Sequence, residues 1–186
     1  MTGVQTCALP ISAAAARAAG HIFPEYAACE AALESNWGQS RLAREASNLF
    51  GQKASVQEQG LGEQGTGTLT LPTQEFLHGH WVTVIAHWAR FSDQTACFRA
   101  RMELLRRLEH GYPAYARALA AATGEIFVQE VSRAWSTDPE RAAKVLAIHR
   151  QHSVSFLPLV RPAERSGPLV NPAATEGSVS PMVGSL

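Results

Sequence analysis

The sequence predicts an α+β domain, a mainly helical body with one β-hairpin lobe inserted between helices. Three observations carry that expectation. Apolar residues recur at helical spacing, as in Phe98, Met102, Leu105 and Leu108. Upstream of them, Val82, Val84, Ala86 and Trp88 alternate with Trp81, Thr83, Ile85 and His87, the period of a strand with one covered face. Gly20, Gly38, Gly111 and Gly124 then cut the remainder into helix-length pieces.

Taken in order, Met1 to Ile11 fit no domain pattern. They read as the translation of a common sequencing-library adapter, to be set aside from fold reasoning. The domain is expected over residues 12–156. Ser12 to Gly20 is Ala-rich and helix-prone, and Gly20 and Pro24 break it. Pro24 suits the first turn of a second helix reaching about Asn36, with Gly38 ending it. Arg41 to Ala46 reads as a short helix, and Asn48-Leu49-Phe50-Gly51 as a turn. Gln57 to Gly67 holds four glycines among polar residues and is expected to be a mobile loop. Thr68 to Leu77 and Trp81 to Phe91 form the hairpin, joined through His78-Gly79-His80.

Beyond it, Gln94 to His110 is an amphipathic helix closed by Gly111, and Tyr112 to Ala122 is another, stopped by Gly124. Glu125 to Trp135 is a third. Thr137-Asp138-Pro139-Glu140 opens a fourth, with Thr137 or Asp138 as N-cap, Glu140 completing a capping box, and Val145, Leu146 and Ile148 buried. From residue 157 the chain becomes rich in Pro, Ser and Gly, the composition of a linker or disordered tail.

Composition excludes several classes. Sixteen basic and sixteen acidic residues leave no formal net charge, where a nucleic-acid binder needs a basic surplus or stripe. No apolar run approaches the ~18 residues of a membrane span. Cys29 and Cys97 sit in apolar helical patterns and read as two small buried hydrophobes rather than a disulfide. His78, His80 and His87 are scattered across strand faces with no Cys or Asp to complete a set, so no metal site is expected.

The chemistry concentrates in Ala31-Ala32-Leu33-Glu34-Ser35-Asn36-Trp37-Gly38. Here one carboxylate ends an apolar helix and is followed by a Trp and a Gly. A general acid needs such a setting, because apolar and aromatic surroundings and the helix C-terminal dipole all favour a protonated carboxyl. Glu30, Glu34 and Trp37 fall at i, i+4 and i+7, one helix face that would border a cleft.

Four motifs occur in order: the Glu34 string, Asn48-Leu49-Phe50-Gly51, Thr73-Gln74-Glu75, and Thr137-Asp138-Pro139. Together they resemble the bacterial glucosaminidase domain (glycoside hydrolase family 73) over about Phe23 to His149. The resemblance implies a lysozyme-like fold and a peptidoglycan hydrolase. The bond cut would be the β-1,4 link between N-acetylglucosamine and N-acetylmuramic acid, with Glu34 as acid. Glu75, matching the family's Thr-x-Glu acid, would be the second catalytic carboxylate on the opposite lobe. It would either activate a water or assist the substrate's own N-acetyl group. Trp37 and Trp135 would line glycan subsites. Glu30, Asn48 and Phe50 complete the substrate-side candidates, although Asn48 and Phe50 suit shaping the turn better than touching the reacting bond.

Departures from the family pattern are informative. Glu30 stands where Gln is common. It is either a second charge that keeps Glu34 protonated or a partner for an Arg of the core helices. Trp135 replaces Tyr, and Trp88-Ala89-Arg90-Phe91 lacks the Arg of the usual Phe-Arg-x-Tyr. The implied protein is a monomer without metal or organic cofactor, acting on peptidoglycan strands in the periplasm or outside the cell. Origins in a phage lysin, an autolysin or an assembly factor all stay open. Two rivals remain, a lytic transglycosylase or muramidase on the same fold and a non-catalytic wall-binding module.

Overall fold

Several helices begin where the sequence offers a cap. Ser40 accepts from Ala43 N at 3.1 Å, Asp93 from Ala96 N at 2.9 Å and Thr123 from Ile126 N at 3.3 Å. Pro24 and Pro113 occupy first turns, where a missing N–H costs nothing. The computed structural model describes residues 3–54, 65–77 and 80–156. Its elements are α1 (Gly3–Ala18), α2 (Pro24–Glu34), α3 (Arg41–Ala46), β1 (Gly65–Leu77), β2 (His80–Phe91), α4 (Gln94–Leu108), α5 (Pro113–Leu119), α6 (Gly124–Trp135) and α7 (Arg141–His152). A 3₁₀ turn, Ser153–Phe156, follows. The expected α+β plan is the observed one. Most of the loop expected over 57–67, the His78-Gly79 connection and the tail from 157 lie outside the described residues.

β1 and β2 form a two-stranded antiparallel sheet in which Leu69 faces Trp88, Thr73 faces Val84 and Glu75 faces Val82. The alternation has its expected consequence: Ala86 is buried, while Trp81 and Ile85 on the other face are 69% and 65% exposed. The inner end of β2 is tied to the helical body. Ala54 N donates to His87 O at 2.8 Å, and Ala89 N donates to Gln52 O at 3.0 Å.

α2 runs between two apolar clusters. One gathers Leu9, Cys29, Met102, Leu105, Phe127 and Val131, and the other Ala31, Leu49, Phe50, Phe91 and Phe98. Ala27, Ala28, Cys29 and Ala31 are essentially inaccessible, so small side chains on every side let the neighbours approach closely. Cys29 and Cys97 are free and buried, and burial pushes both thiols up to about 12. α1 extends upstream of Ser12, and Leu9 is 1% exposed within the first cluster. Leu9 thus packs with the domain, although the sequence reading set the segment up to Ile11 aside from the fold. Among the described residues no helix is long and apolar enough to cross a membrane.

Gly124 opens α6 rather than ending the helix before it, and α5 is correspondingly shorter than expected. A Cβ at position 124 would lie 2.2 Å from the Tyr26 ring. Gly124→Ala is expected to cost about 1–3 kcal/mol through this overlap, measurable as a lower urea midpoint with unchanged slope. His21, 6% exposed, uses Nδ1 to accept from Phe23 N at 3.1 Å. Burial drives its imidazole down to about 4, against an opposing pull from Glu30. The unfolded chain therefore binds a proton near pH 6.5 that the folded chain refuses until about pH 4. Stability from this group, roughly 3 kcal/mol, is complete above pH 6.5 and is lost as pH falls to 4. Urea unfolding at pH 7, 5 and 4 checks this, and His21→Gln flattens the trend.

Candidate active site

α2 stops at Glu34 because the chain winds left-handed directly after it. Asn36, Trp37 and Gly38 have φ of 50°, 60° and 76°. The expected stop signal was Gly38; the first left-handed residue is Asn36, the residue after glycine best suited to it. Trp37 N reaches back to Ala32 O at 2.7 Å, closing a Schellman-type end. Ser35 fastens the winding, donating to Ala31 O at 2.5 Å and accepting from Gly38 N at 2.8 Å. Positive φ at a bulky residue costs ~1–2 kcal/mol and persists only where surroundings enforce it.

The Glu34 side chain is 24% exposed, and its Oε1 accepts from Arg141 Nε at 2.7 Å. Arg141 is 2% exposed and its Nη1 donates to Glu30 Oε1 at 3.0 Å and to Ser132 Oγ at 2.9 Å. Glu30 is fully buried and also pairs with Arg101 Nη2 at 3.4 Å. The Arg101 guanidinium lies between two rings, 3.7 Å from the Trp135 centroid and 4.6 Å from that of Phe50. Two carboxylates and two guanidiniums thus make a balanced quartet, the condition under which charges can be buried. Burial works to lower the Arg141 pKa, but Glu30 and Glu34 outweigh it and hold the guanidinium protonated above its ordinary range. At Arg101 burial prevails and lowers the pKa, with Glu30 opposing.

Of the two readings of Glu30, the structure places it as partner to arginines of α4 and α7 and gives it no solvent-facing surface. Trp37 turns to His152 at one end of α7, ring centroids 5.4 Å apart, whereas Glu34 meets Arg141 at the other. α7 has twelve residues, about 18 Å of helix, so the two residues expected to share a face diverge. The left-handed winding causes the divergence, because the i+7 rule holds only while the helix continues. Asn48 is 1% exposed, donating to Gln52 O and Ala89 O, both at 2.8 Å, and accepting from Gln52 N at 3.0 Å. Phe50, 2% exposed, packs edge-on to Phe98. These two brace the turn against the hairpin, the shaping role the sequence favoured, and do not face solvent. Trp135 is half-buried with one face covered by Arg101.

Glu75 lies near the outer end of β1, paired with Val82. The register puts position 75 on the ladder face of Ala86 and Trp88, about 20 Å along the strand from the Leu69–Trp88 pair. Thr137-Asp138-Pro139-Glu140 forms a turn before α7 rather than its first turn. Asp138 accepts from Glu140 N at 2.9 Å, so the expected cap acts one residue ahead of the helix. Among the described residues no group of three or more His, Cys, Asp or Glu is gathered as a metal site would need.

Sequence reasoning missed Arg101, Arg141, Ser132 and Ser35. The two arginines did leave a signal. Arg101 follows Phe98 by three positions, and Arg141 precedes Val145 by four, so each lies in a buried apolar stripe where an unpaired charge is not tolerated.

Comparison with known proteins gives the family of this fold. A family model described as "Mannosyl-glycoprotein endo-beta-N-acetylglucosaminidase" matches residues 11–154. The peptidoglycan hydrolase FlgJ of Pseudomonas aeruginosa is 33% identical over 149 residues, covering 77% of this chain and 34% of that protein. A Lactococcus lactis protein named "Probable N-acetylmuramidase" is 29% identical over 138 residues, 72% of this chain and 30% of its own. The chain thus spans about a third of the length of these curated relatives. Among solved structures, the catalytic domain of the Listeria monocytogenes autolysin Auto superimposes with a TM-score of 0.68 at 21% identity, over 83% of this chain and 88% of that one. The extent of the family match, nearly coincident with the folded domain, establishes that the chain belongs to the glucosaminidase family.

Proposed function

We propose that this chain hydrolyses the β-1,4 bond between N-acetylglucosamine and N-acetylmuramic acid in peptidoglycan, with Glu34 as general acid. One observation carries the reading: Glu34 is the quartet's one member with an appreciably exposed side chain, at the end of an apolar helix. Its Oε1 is occupied by Arg141, which leaves Oε2 to carry the proton to the leaving oxygen. Glu75 is the second carboxylate of the mechanism. The backbone register, with position 75 on the Ala86 face, supports that role. It serves the anomeric carbon through a water or by orienting the substrate's N-acetyl group. Trp135 offers sugar rings the face that Arg101 leaves open, and Trp37 serves a subsite removed from Glu34. The domain works as a monomer on wall glycan in the periplasm or outside the cell. FlgJ's description as a peptidoglycan hydrolase favours wall glycan over the mannosyl-glycoprotein named for the family.

A muramidase is the second reading, favoured by the name of the Lactococcus relative. Digestion of purified peptidoglycan, reduction of the products and mass spectrometry of their ends separates the two. Reduced N-acetylglucosamine ends are expected. Reduced muramic acid ends would move the activity to the muramidase, anhydro ends to a transglycosylase, and glycan binding without new ends would reduce the chain to a binding module.

A further inference from the structure

We propose that Arg141 is a positioning residue for the general acid, a rigid bridge that fixes the Glu34 carboxylate from the protein interior. The inference rests on the assignment of Glu34 as acid. Arg141 is the first residue of α7, where the helix dipole disfavours a cation, and it is almost wholly buried. Such a placement persists because the guanidinium has fixed acceptors. Nη1 is held by Glu30 and Ser132 at 3.0 and 2.9 Å, and neither acceptor has freedom to move, Glu30 being fully enclosed and Ser132 7% exposed. The planar fork then presents Nε to Glu34 Oε1 at 2.7 Å. Of the three groups around Arg141, Glu34 alone reaches the surface appreciably. The chain of contacts therefore runs from a fixed interior anchor to an outward acid.

Glu30 has a part in this arrangement. It is buried and pairs with Arg101 as well as Arg141, so the interior anchor is tied to α4 as well as α7. Lysine cannot replace the arginine fully, because one ammonium on a flexible stem cannot address both carboxylates in fixed directions.

The test uses Arg141→Gln, which leaves Glu30 paired with Arg101, and Arg141→Lys, which keeps the charge should Gln prevent folding. Both are assayed on soluble glycan-strand fragments after circular dichroism and melting confirm the fold. Release of the acid's orientation is expected to lower kcat about 10–100-fold with KM within about threefold. Arg141→Lys should recover part of the loss. In the Glu34→Gln background, Arg141→Gln should cause no further loss of residual cleavage, because both changes remove one unit. Unchanged kcat in a folded Arg141→Gln protein would overturn the proposal. So would an equal further loss in the Glu34→Gln background, or a rise in KM at constant kcat, which would make Arg141 a substrate ligand. Full activity of Glu34→Gln alone would be a different failure, that of the acid assignment.

Discussion

Glu34→Gln is expected to lower glycan cleavage about 10²–10⁴-fold, the usual contribution of a positioned general acid. Gln matches Glu in size and can still accept from Arg141 through its amide oxygen, so the contact at 2.7 Å need not be lost. The side chain is partly exposed, so the neutral amide leaves no enclosed charge of its own. The melting temperature should therefore change by no more than a few degrees while reducing-end release collapses. Glu75→Gln, compared in the same assay, separates the routes at the anomeric carbon. A comparable collapse supports Glu75 acting there, whereas retained cleavage assigns that step to the substrate's N-acetyl group or to a single-acid transglycosylase. A Glu34→Gln protein with undiminished cleavage would remove the acid from α2 altogether.

Glu30→Ala is expected to have the largest effect on stability. The substitution leaves Arg101 buried without its carboxylate and removes one of the two carboxylates that hold Arg141. Breaking a buried pair by deleting one partner typically costs about 3–5 kcal/mol, since the remaining charge stays desolvated. For a domain of this size that corresponds to a fall in melting temperature of roughly 10–15 °C. Glu30→Gln should lie between wild type and Ala, because its amide oxygen keeps an acceptor for Arg141 but no compensating charge. Differential scanning calorimetry of the three proteins checks the order. Equal melting temperatures would show that water, rather than Glu30, solvates the two guanidiniums.

Much of this architecture was legible before any coordinates. The stripe Phe98, Met102, Leu105 predicted the buried face of α4, and these residues are inaccessible. The alternation along Val82 to Trp88 predicted a strand of the hairpin, and β2 is that strand. Patterns of this kind are local, because each records how a short segment is covered, and coverage has the period of the element. Errors clustered at ends. Glycine at 124 signals a stop, yet Thr123 caps α6 there and the Tyr26 ring leaves no room for a Cβ. Trp37 was placed on the face of Glu34 because the helix was carried two residues too far, through Asn36.

The sequence by itself determined the helix that carries Glu34 and the two paired strands of the hairpin, since these depend on residues within a turn or a strand of one another. It offered an arginine of the core helices as one partner for Glu30 and named neither Arg101 nor Arg141. Only the tertiary structure decided which partners, because Arg141 meets Glu34 and Glu30 across 107 and 111 positions of chain. Pairing over such distances is fixed by how helices pack, and electrostatics selects among the contacts that packing allows. The quartet behind Glu34 exists because α2, α4 and α7 bring four charged side chains together, three of them buried, where a charge needs an opposite one beside it.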